Sequence, residues 1–297
     1  MTTTQLRGCG TALVTPFLAD GSVDEPALRA LVQWQLAAGI HMLIPCGSTG
    51  EAVTLTTAEH RRVVEITVEE VNGRVPVIAG AGCNDTHRAI ATSREMRAIG
   101  ATHLLHVTPM YNKPPQRALL AHFRAIADAC DLPIVLYNVP GRTAVNMDAA
   151  TTLELARDPR FVAVKEASGN LAQMTTIVRD RPADFSVLSG DDGFTLALMA
   201  HGGDGIISVV SNVAPSLMVR LCEAMLRRDL AEARALDAAL APLIDACFVE
   251  SNPIPAKAML AMMGRLQDRV RLPLVPLAES WQARVRGVLE HAGLLAS

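Results

Sequence analysis

Aromatic residues are scarce. The 297-residue chain carries six Phe, two Trp and two Tyr, so leucine, alanine and valine must supply its core. Lysine is scarcer still, at Lys113, Lys165 and Lys257 only, against 24 arginines. Each lysine therefore stands out as a position to inspect. An excess of one charge is also missing: 27 basic and 30 acidic side chains leave a formal charge of −3, with no long-range field to gather nucleic acid or an anionic membrane. No apolar stretch is long enough to cross a bilayer, and the start MTTTQLRGCG has the pattern of neither a signal peptide nor an anchor. The six cysteines (Cys9, Cys46, Cys83, Cys130, Cys222, Cys247) form no CxxC pair and no metal-ligand spacing. They read as small buried hydrophobes in a reducing compartment, so a cytoplasmic location is expected.

Half the chain is apolar, and at this length it can bury a full core without disulfides or metals. Collagen, coiled coil, disorder and mini-protein scaffolds are excluded. Eight short apolar runs recur: Thr11–Pro16, Met42–Pro45, Val75–Ala79, His103–Val107, Pro133–Tyr137, Phe161–Lys165, Ser186–Ser189 and Gly205–Val210. Between them lie segments of helical period such as Glu25–Ala38 and Thr57–Val71, the latter with Thr56 and Glu59 spaced as a capping box. Strand and helix alternating at intervals of about thirty residues build parallel βαβ units, and eight of them predict an α/β fold of the (β/α)₈ TIM-barrel type. An open doubly wound sheet is the alternative, but the first run leads into TPFLADG and lacks the GxGxxG turn of a nicotinamide site. Beyond Ser216 the runs Leu217–Leu226, Leu230–Phe248, Ile254–Met263 and Leu277–Ala292 read as helices. The expected organisation is a barrel over residues 1–225 and a C-terminal helical extension over 226–297, packed on the barrel or on a neighbouring subunit.

A TIM barrel keeps its active site at the C-terminal ends of the strands, so the residues that close each run matter most. Lys165 closes FVAVK, where apolar flanks would desolvate its ammonium and favour the neutral amine that attacks a carbonyl to form a Schiff base. A strand-end lysine paired with Glu166 is the competing reading, and position alone does not separate the two. Tyr137 closes the preceding run and would stand on the adjacent strand, where a phenol can shuttle protons for imine formation. The GSTGE turn at 47–51 offers hydroxyls and backbone N–H groups before a helix, a setting that suits a carboxylate. Arg142, in PGRT, offers a fork for a second carboxylate. The eight histidines form no HExxH motif, which argues against a metal-dependent aldolase; Asp191-Asp192 after the seventh run would repel a phosphate there.

Taken in order, GTALVTPF, GSTGE, VTPMYNKP, YNVPGRT, VKEASGN, SGDD, GIISVVSNVAP and NPIPAK carry a family pattern. From about Arg7 onward the sequence resembles the 4-hydroxy-tetrahydrodipicolinate (dihydrodipicolinate) synthases, within the class I pyruvate aldolases that include N-acetylneuraminate lyase. The resemblance implies a lyase of lysine and diaminopimelate biosynthesis that joins pyruvate to L-aspartate 4-semialdehyde and needs no cofactor or metal. It also implies that Lys165 forms the Schiff base and that Tyr137, Ser48 and Tyr111 form a proton relay, Tyr111 coming from the adjacent subunit of a homodimer or homotetramer. Ser48 and Thr49 would hold the pyruvate carboxylate, Arg142 would receive that of the aldehyde, and Gly190 and Ile207 match further pocket positions. Two departures stand out. Ser48 replaces the usual threonine and keeps the hydroxyl. At the interface site where many members bind lysine, His60 and Asn84 fit, but Met110, Thr57 and Arg88 replace tyrosine, histidine and glutamate. An arginine in place of that acid reverses the local charge, so weak sensitivity or insensitivity to lysine is expected. The alternatives are a pyruvate-dependent aldolase acting on a sugar acid and a catalytically silent barrel.

Overall fold

The computed structural model describes residues 5–295; the predicted ends at 1–4 and 296–297 lie outside the described residues. Eight parallel strands, β1 (Gly8–Ala12), β2 (Met42–Ile44), β3 (Ile78–Gly80), β4 (His103–Val107), β5 (Ile134–Asn138), β6 (Phe161–Glu166), β7 (Ser186–Ser189) and β8 (Gly205–Ser208), lie in the order β2-β1-β8-β7-β6-β5-β4-β3. The sheet closes between its two ends through the parallel bridge Leu43–Val77 and the hydrogen bond from the Gly80 N–H to the Pro45 carbonyl at 3.0 Å. This is the expected TIM barrel.

Strand alternation sorts the side chains into two layers. Met42, Ile78, Leu105, Val135, Leu188 and Ile207 fill the barrel interior, whereas Leu136, Val164 and Val187 belong to the layer between strands and helices. The first strand lies about three residues earlier than the expected Thr11–Pro16. A Cβ on Gly10 would stand 2.3 Å from Met42 Cγ and 2.8 Å from Ile44 Cδ1, so side chains of β2 occupy the space that a larger residue at Gly10 would need. Gly8 and Gly10, which the expected run leaves out, are therefore strand residues beside which larger neighbours pack.

Helix starts follow ordinary capping chemistry. The Thr56–Glu59 capping box is formed, and Asp24, Asp85, Asp148, Asn170 and Asp229 each accept from a first-turn N–H. After β8 the helices Pro215–Leu226, Leu230–Cys247, Ile254–Met262 and Glu279–His291 complete the chain. Leu240, Leu243 and Leu260 share one apolar cluster with Leu31 and Val63 of the barrel helices, so the C-terminal helices and the barrel are joined by a common core.

Candidate active site

The alternation that fills the barrel also aims its reactive groups. Ala163 and Val135 point inward, so Lys165 and Tyr137, two residues further on, point inward as well, one layer nearer the mouth. Tyr137 pairs directly with Lys165 across β5 and β6, and the lysine Nζ lies 4.4 Å from the centre of the phenol ring. By the same rule Glu166 points outward. Its carboxylate accepts from Asn138 Nδ2 at 3.1 Å, Gln173 Nε2 at 3.2 Å and the Ser168 N–H at 2.8 Å, which removes the reading of Lys165 as the partner of Glu166.

Lys165 is 5% exposed, and burial lowers the pKa of its ammonium to about 8. The negative charge of Asp192 works against that shift and the Arg142 guanidinium works with it. An amine near 8 has a neutral fraction at pH 7 roughly two orders of magnitude above that of an ordinary lysine. Burial pushes the Tyr137 phenol up to about 12, with Arg142 and a hydrogen bond from Ser48 opposing the rise. The phenol is thus held protonated beside a readily deprotonated amine. Gly190 leaves the space this requires: a Cβ there would stand 3.0 Å from Lys165 Cγ and 2.7 Å from Ala167 Cβ.

Asp192 follows β7 and is buried, its carboxylate accepting from the Ser208 hydroxyl at 2.5 Å and the Val209 N–H at 3.0 Å. The sequence shows it only as an acidic pair unsuited to phosphate; the fold makes it the acid that fastens the β7 end to β8, and its negative charge acts on Lys165. Ile207 is buried on the inner face of β8.

The GSTGE turn lies opposite. Gly50 N–H bonds to the Gly47 carbonyl at 3.0 Å and Glu51 N–H to the Ser48 carbonyl at 3.2 Å, while among the described residues the N–H groups of Ser48 and Thr49 have no partner. Two unspent donors in a tight turn form an anion nest. The following helix does not contribute as expected, because a short 3₁₀ turn, Ala52–Thr54, intervenes and Thr56 and Glu59 occupy the N-terminus of Thr57–Val71. Two cavities open beside the turn. One of about 70 Å³ is lined by Ser48, Tyr137, Leu105 and Val107; one of about 300 Å³ is lined by Ser48, Arg142, Thr143 and Asn252.

Asn252 escaped notice as an individual residue, although NPIPAK was seen as a motif. Its Nδ2 donates to Thr49 Oγ1 at 2.9 Å, its carbonyl accepts from Arg142 at 3.2 Å, and its buried Oδ1 has no partner among the described residues. Only long-range packing joins it to Thr49, 203 positions away, so no local signal could place it.

Tyr111 is not brought to this cluster within one chain. It is 89% exposed, with φ +74° and its N–H 3.4 Å from the Thr143 carbonyl. Asn84 braces the loop by donating to the Met110 carbonyl and accepting from Asn112. The positions expected for an effector do converge, in a separate cavity of about 310 Å³ that includes Thr57, His60, Asn84, Arg88 and Met110. Glu95 also lines it, an acid the sequence reading missed. His60 Nε2 lies 2.9 Å from the Gly80 carbonyl, and burial lowers the imidazole pKa below its ordinary value.

Comparison with known proteins gives a consistent picture. The model of the dihydrodipicolinate synthetase family matches residues 5–292. The 4-hydroxy-tetrahydrodipicolinate synthase of Koribacter versatilis is 50% identical over 292 residues, spanning 98% of this chain and 97% of that protein. The crystal structure of dihydrodipicolinate synthase from Thermotoga maritima superposes with a TM-score of 0.96 at 44% identity, covering 98% of this chain and all of that one. The chloride-inhibited enzyme of Acinetobacter baumannii, solved with pyruvate, superposes with a TM-score of 0.96 at 40% identity, covering 98% of this chain and all of that one.

Proposed function

The chain belongs to the dihydrodipicolinate synthetase family, and from that premise we propose that it condenses pyruvate with L-aspartate 4-semialdehyde to give 4-hydroxy-tetrahydrodipicolinate. The family works through a lysine Schiff base without a cofactor. The observation that carries the reading is the buried pair Lys165–Tyr137, an amine lowered to about 8 with its Nζ 4.4 Å from the phenol ring centre. The neutral Lys165 amine attacks the keto carbon of pyruvate, and the Tyr137 phenol supplies the proton with which the carbinolamine oxygen leaves as water. Loss of a methyl proton turns the imine into an enamine, whose carbon attacks the aldehyde. The amino group of the second substrate then displaces Lys165 and closes the ring.

The Ser48 and Thr49 N–H groups suit the pyruvate carboxylate, and Arg142 suits the carboxylate of the aldehyde substrate. Ser48 keeps the hydroxyl needed to link Tyr137 to the next relay member. Tyr111 is 89% exposed on the loop after β4, which supports a relay completed by the Tyr111 of a second copy in a homodimer or homotetramer. Arg142 also favours an acceptor that carries a carboxylate near the aldehyde over a long neutral sugar chain. No helix of the described residues is long and apolar enough to cross a membrane.

Weak or absent inhibition by lysine is part of this reading. Arg88 places a cation in the cavity where the effector's ammonium would need an acid, Met110 supplies no hydroxyl, and burial favours neutral His60. Glu95 is the one carboxylate lining that cavity, seven residues along the same helix from Arg88. The deciding experiment is turnover of pyruvate with aspartate 4-semialdehyde, followed by coupled reduction of the product. Saturable turnover is expected. Formation of a pyruvate adduct without turnover would assign the chain to another acceptor, and absence of both would leave a silent barrel.

A further inference from the structure

Of the three lysines, Lys165 belongs to the reaction and Lys113 lies exposed; Lys257 is buried completely and has no part in the mechanism above. It sits in the first turn of Ile254–Met262, where its Nζ donates to Glu51 Oε1 at 2.7 Å and to the Thr15 carbonyl at 2.9 Å. The ammonium also lies 4.2 Å from the centre of the Phe17 ring. Glu51 Oε2 accepts from the Arg271 N–H at 3.0 Å, so the C-terminal segment holds both oxygens of this carboxylate. Thr15, whose carbonyl Lys257 engages, donates its hydroxyl to the Gly50 carbonyl at 2.7 Å. Both ends of that chain of contacts reach the 47–51 turn.

Two features point beyond ordinary packing. Glu51 has φ +53°, a left-handed conformation that a side-chain-bearing residue keeps only when its surroundings over-determine it. A buried ion pair is also poor evidence for stability, because apolar residues of similar volume are often at least as stable. What the pair does provide is direction: it fixes the carboxylate of the last turn residue, whose own N–H bonds to the Ser48 carbonyl at 3.2 Å, and thereby braces Ser48 and Thr49, whose N–H groups are unspent among the described residues.

We propose that Lys257 is a positioning residue for pyruvate, acting through Glu51 and Thr15 to hold the Ser48–Thr49 turn in the geometry that takes the pyruvate carboxylate. The inference rests on the reading of that turn as the pyruvate site. The C-terminal helices would then be part of the substrate apparatus even though none of their residues reacts.

The test compares full-length wild type with Lys257→Met, Glu51→Gln and the double variant Lys257→Met/Glu51→Leu. Each is assayed for KM of both substrates, for thermal stability and for the pyruvate concentration that half-saturates borohydride trapping. Lys257→Met is expected to raise both pyruvate values about tenfold, the effect of roughly one lost hydrogen bond's worth of binding, with the aldehyde KM moving less than about twofold. Glu51→Gln keeps the shape but has one acceptor for the two donors Lys257 and Arg271, so it loses one of these contacts and should raise the pyruvate values by a similar factor. The double variant should recover thermal stability lost in Lys257→Met, since no charge is left unpaired, yet keep the raised pyruvate values. Recovery of both together would reduce the pair to a structural role and overturn the inference, as would an equal rise for both substrates. Failure of wild type to trap pyruvate at all would instead remove the reading of the site itself, and the inference with it.

Discussion

On the β5–β6 side of the barrel mouth Tyr137 and Lys165 are paired in register, buried, and set by strand alternation alone. On the β4 side, the loop beyond Val107 carries Tyr111 out into solvent at 89% exposure, and Val53 beside the GSTGE turn is 90% exposed. One chain thus brings Lys165 and Tyr137 together and leaves Tyr111 apart from them. The contrast divides the proposed reaction into two halves: on that proposal adduct formation requires only the first, and turnover requires both.

Lys165→Ala attacks the first half and should have the largest effect, lowering turnover by more than about 10⁴-fold while leaving circular dichroism and the cooperative melt in place. Residual activity within tenfold of wild type would remove the Schiff-base assignment. Tyr137→Phe keeps the ring beside the ammonium and deletes the proton, so kcat should fall by about 10²- to 10⁴-fold. A reduced pyruvate adduct should still form on it, more slowly. Tyr111→Phe sharpens the comparison: kcat should drop by about 10- to 100-fold, with trapping by pyruvate at the wild-type rate. Equal losses in trapping and turnover would place Tyr111 in the first half after all. The smallest effect expected is that of lysine, which should change the rate by less than about twofold at 1 mM, given the charge that Arg88 brings to the cavity. Strong inhibition below that concentration would show that Glu95, not Arg88, governs it.

The two halves also differ in how legible they were. The eight strands, the capping box of Thr57–Val71 and the juxtaposition of Tyr137 with Lys165 follow from period, spacing and the order of adjacent strands. Those signals are local, or are carried by one simple topology. The start of β1 lies before the expected Thr11 because Gly8 and Gly10 carry no apolar side chain to extend the run, and the side chains of His41 and Met42 that fill the space beside them come from the next strand region. Asp192, Asn252 and the Glu51–Lys257 pair were invisible as site components for a related reason. Their partners are 16 to 206 residues distant, and burial alone tells a structural acid or lysine from a surface one. NPIPAK could be matched as a motif, but only the fold shows that it holds Thr49, Arg142 and Glu51 at once. The sequence leaves Glu166 open as a partner of Lys165; its bonds to Asn138, Ser168 and Gln173 on the outer side of β6 close that reading.

Before any substrate arrives, one chain lowers the Lys165 pKa far enough for a sizeable neutral fraction to exist near neutral pH. Burial places its pKa at about 8 instead of the ordinary 10.5, and only the deprotonated form is nucleophilic, so the adduct rate should increase with pH, reach half its maximum near 8 and level off above. The measurement is the initial rate of borohydride-trapped pyruvate adduct between pH 6 and 11, with the modified peptide identified by mass spectrometry. A single adduct on Lys165 with its midpoint near 8 is expected. A midpoint near that of a free lysine, or an adduct on Lys113 or Lys257, would contradict it.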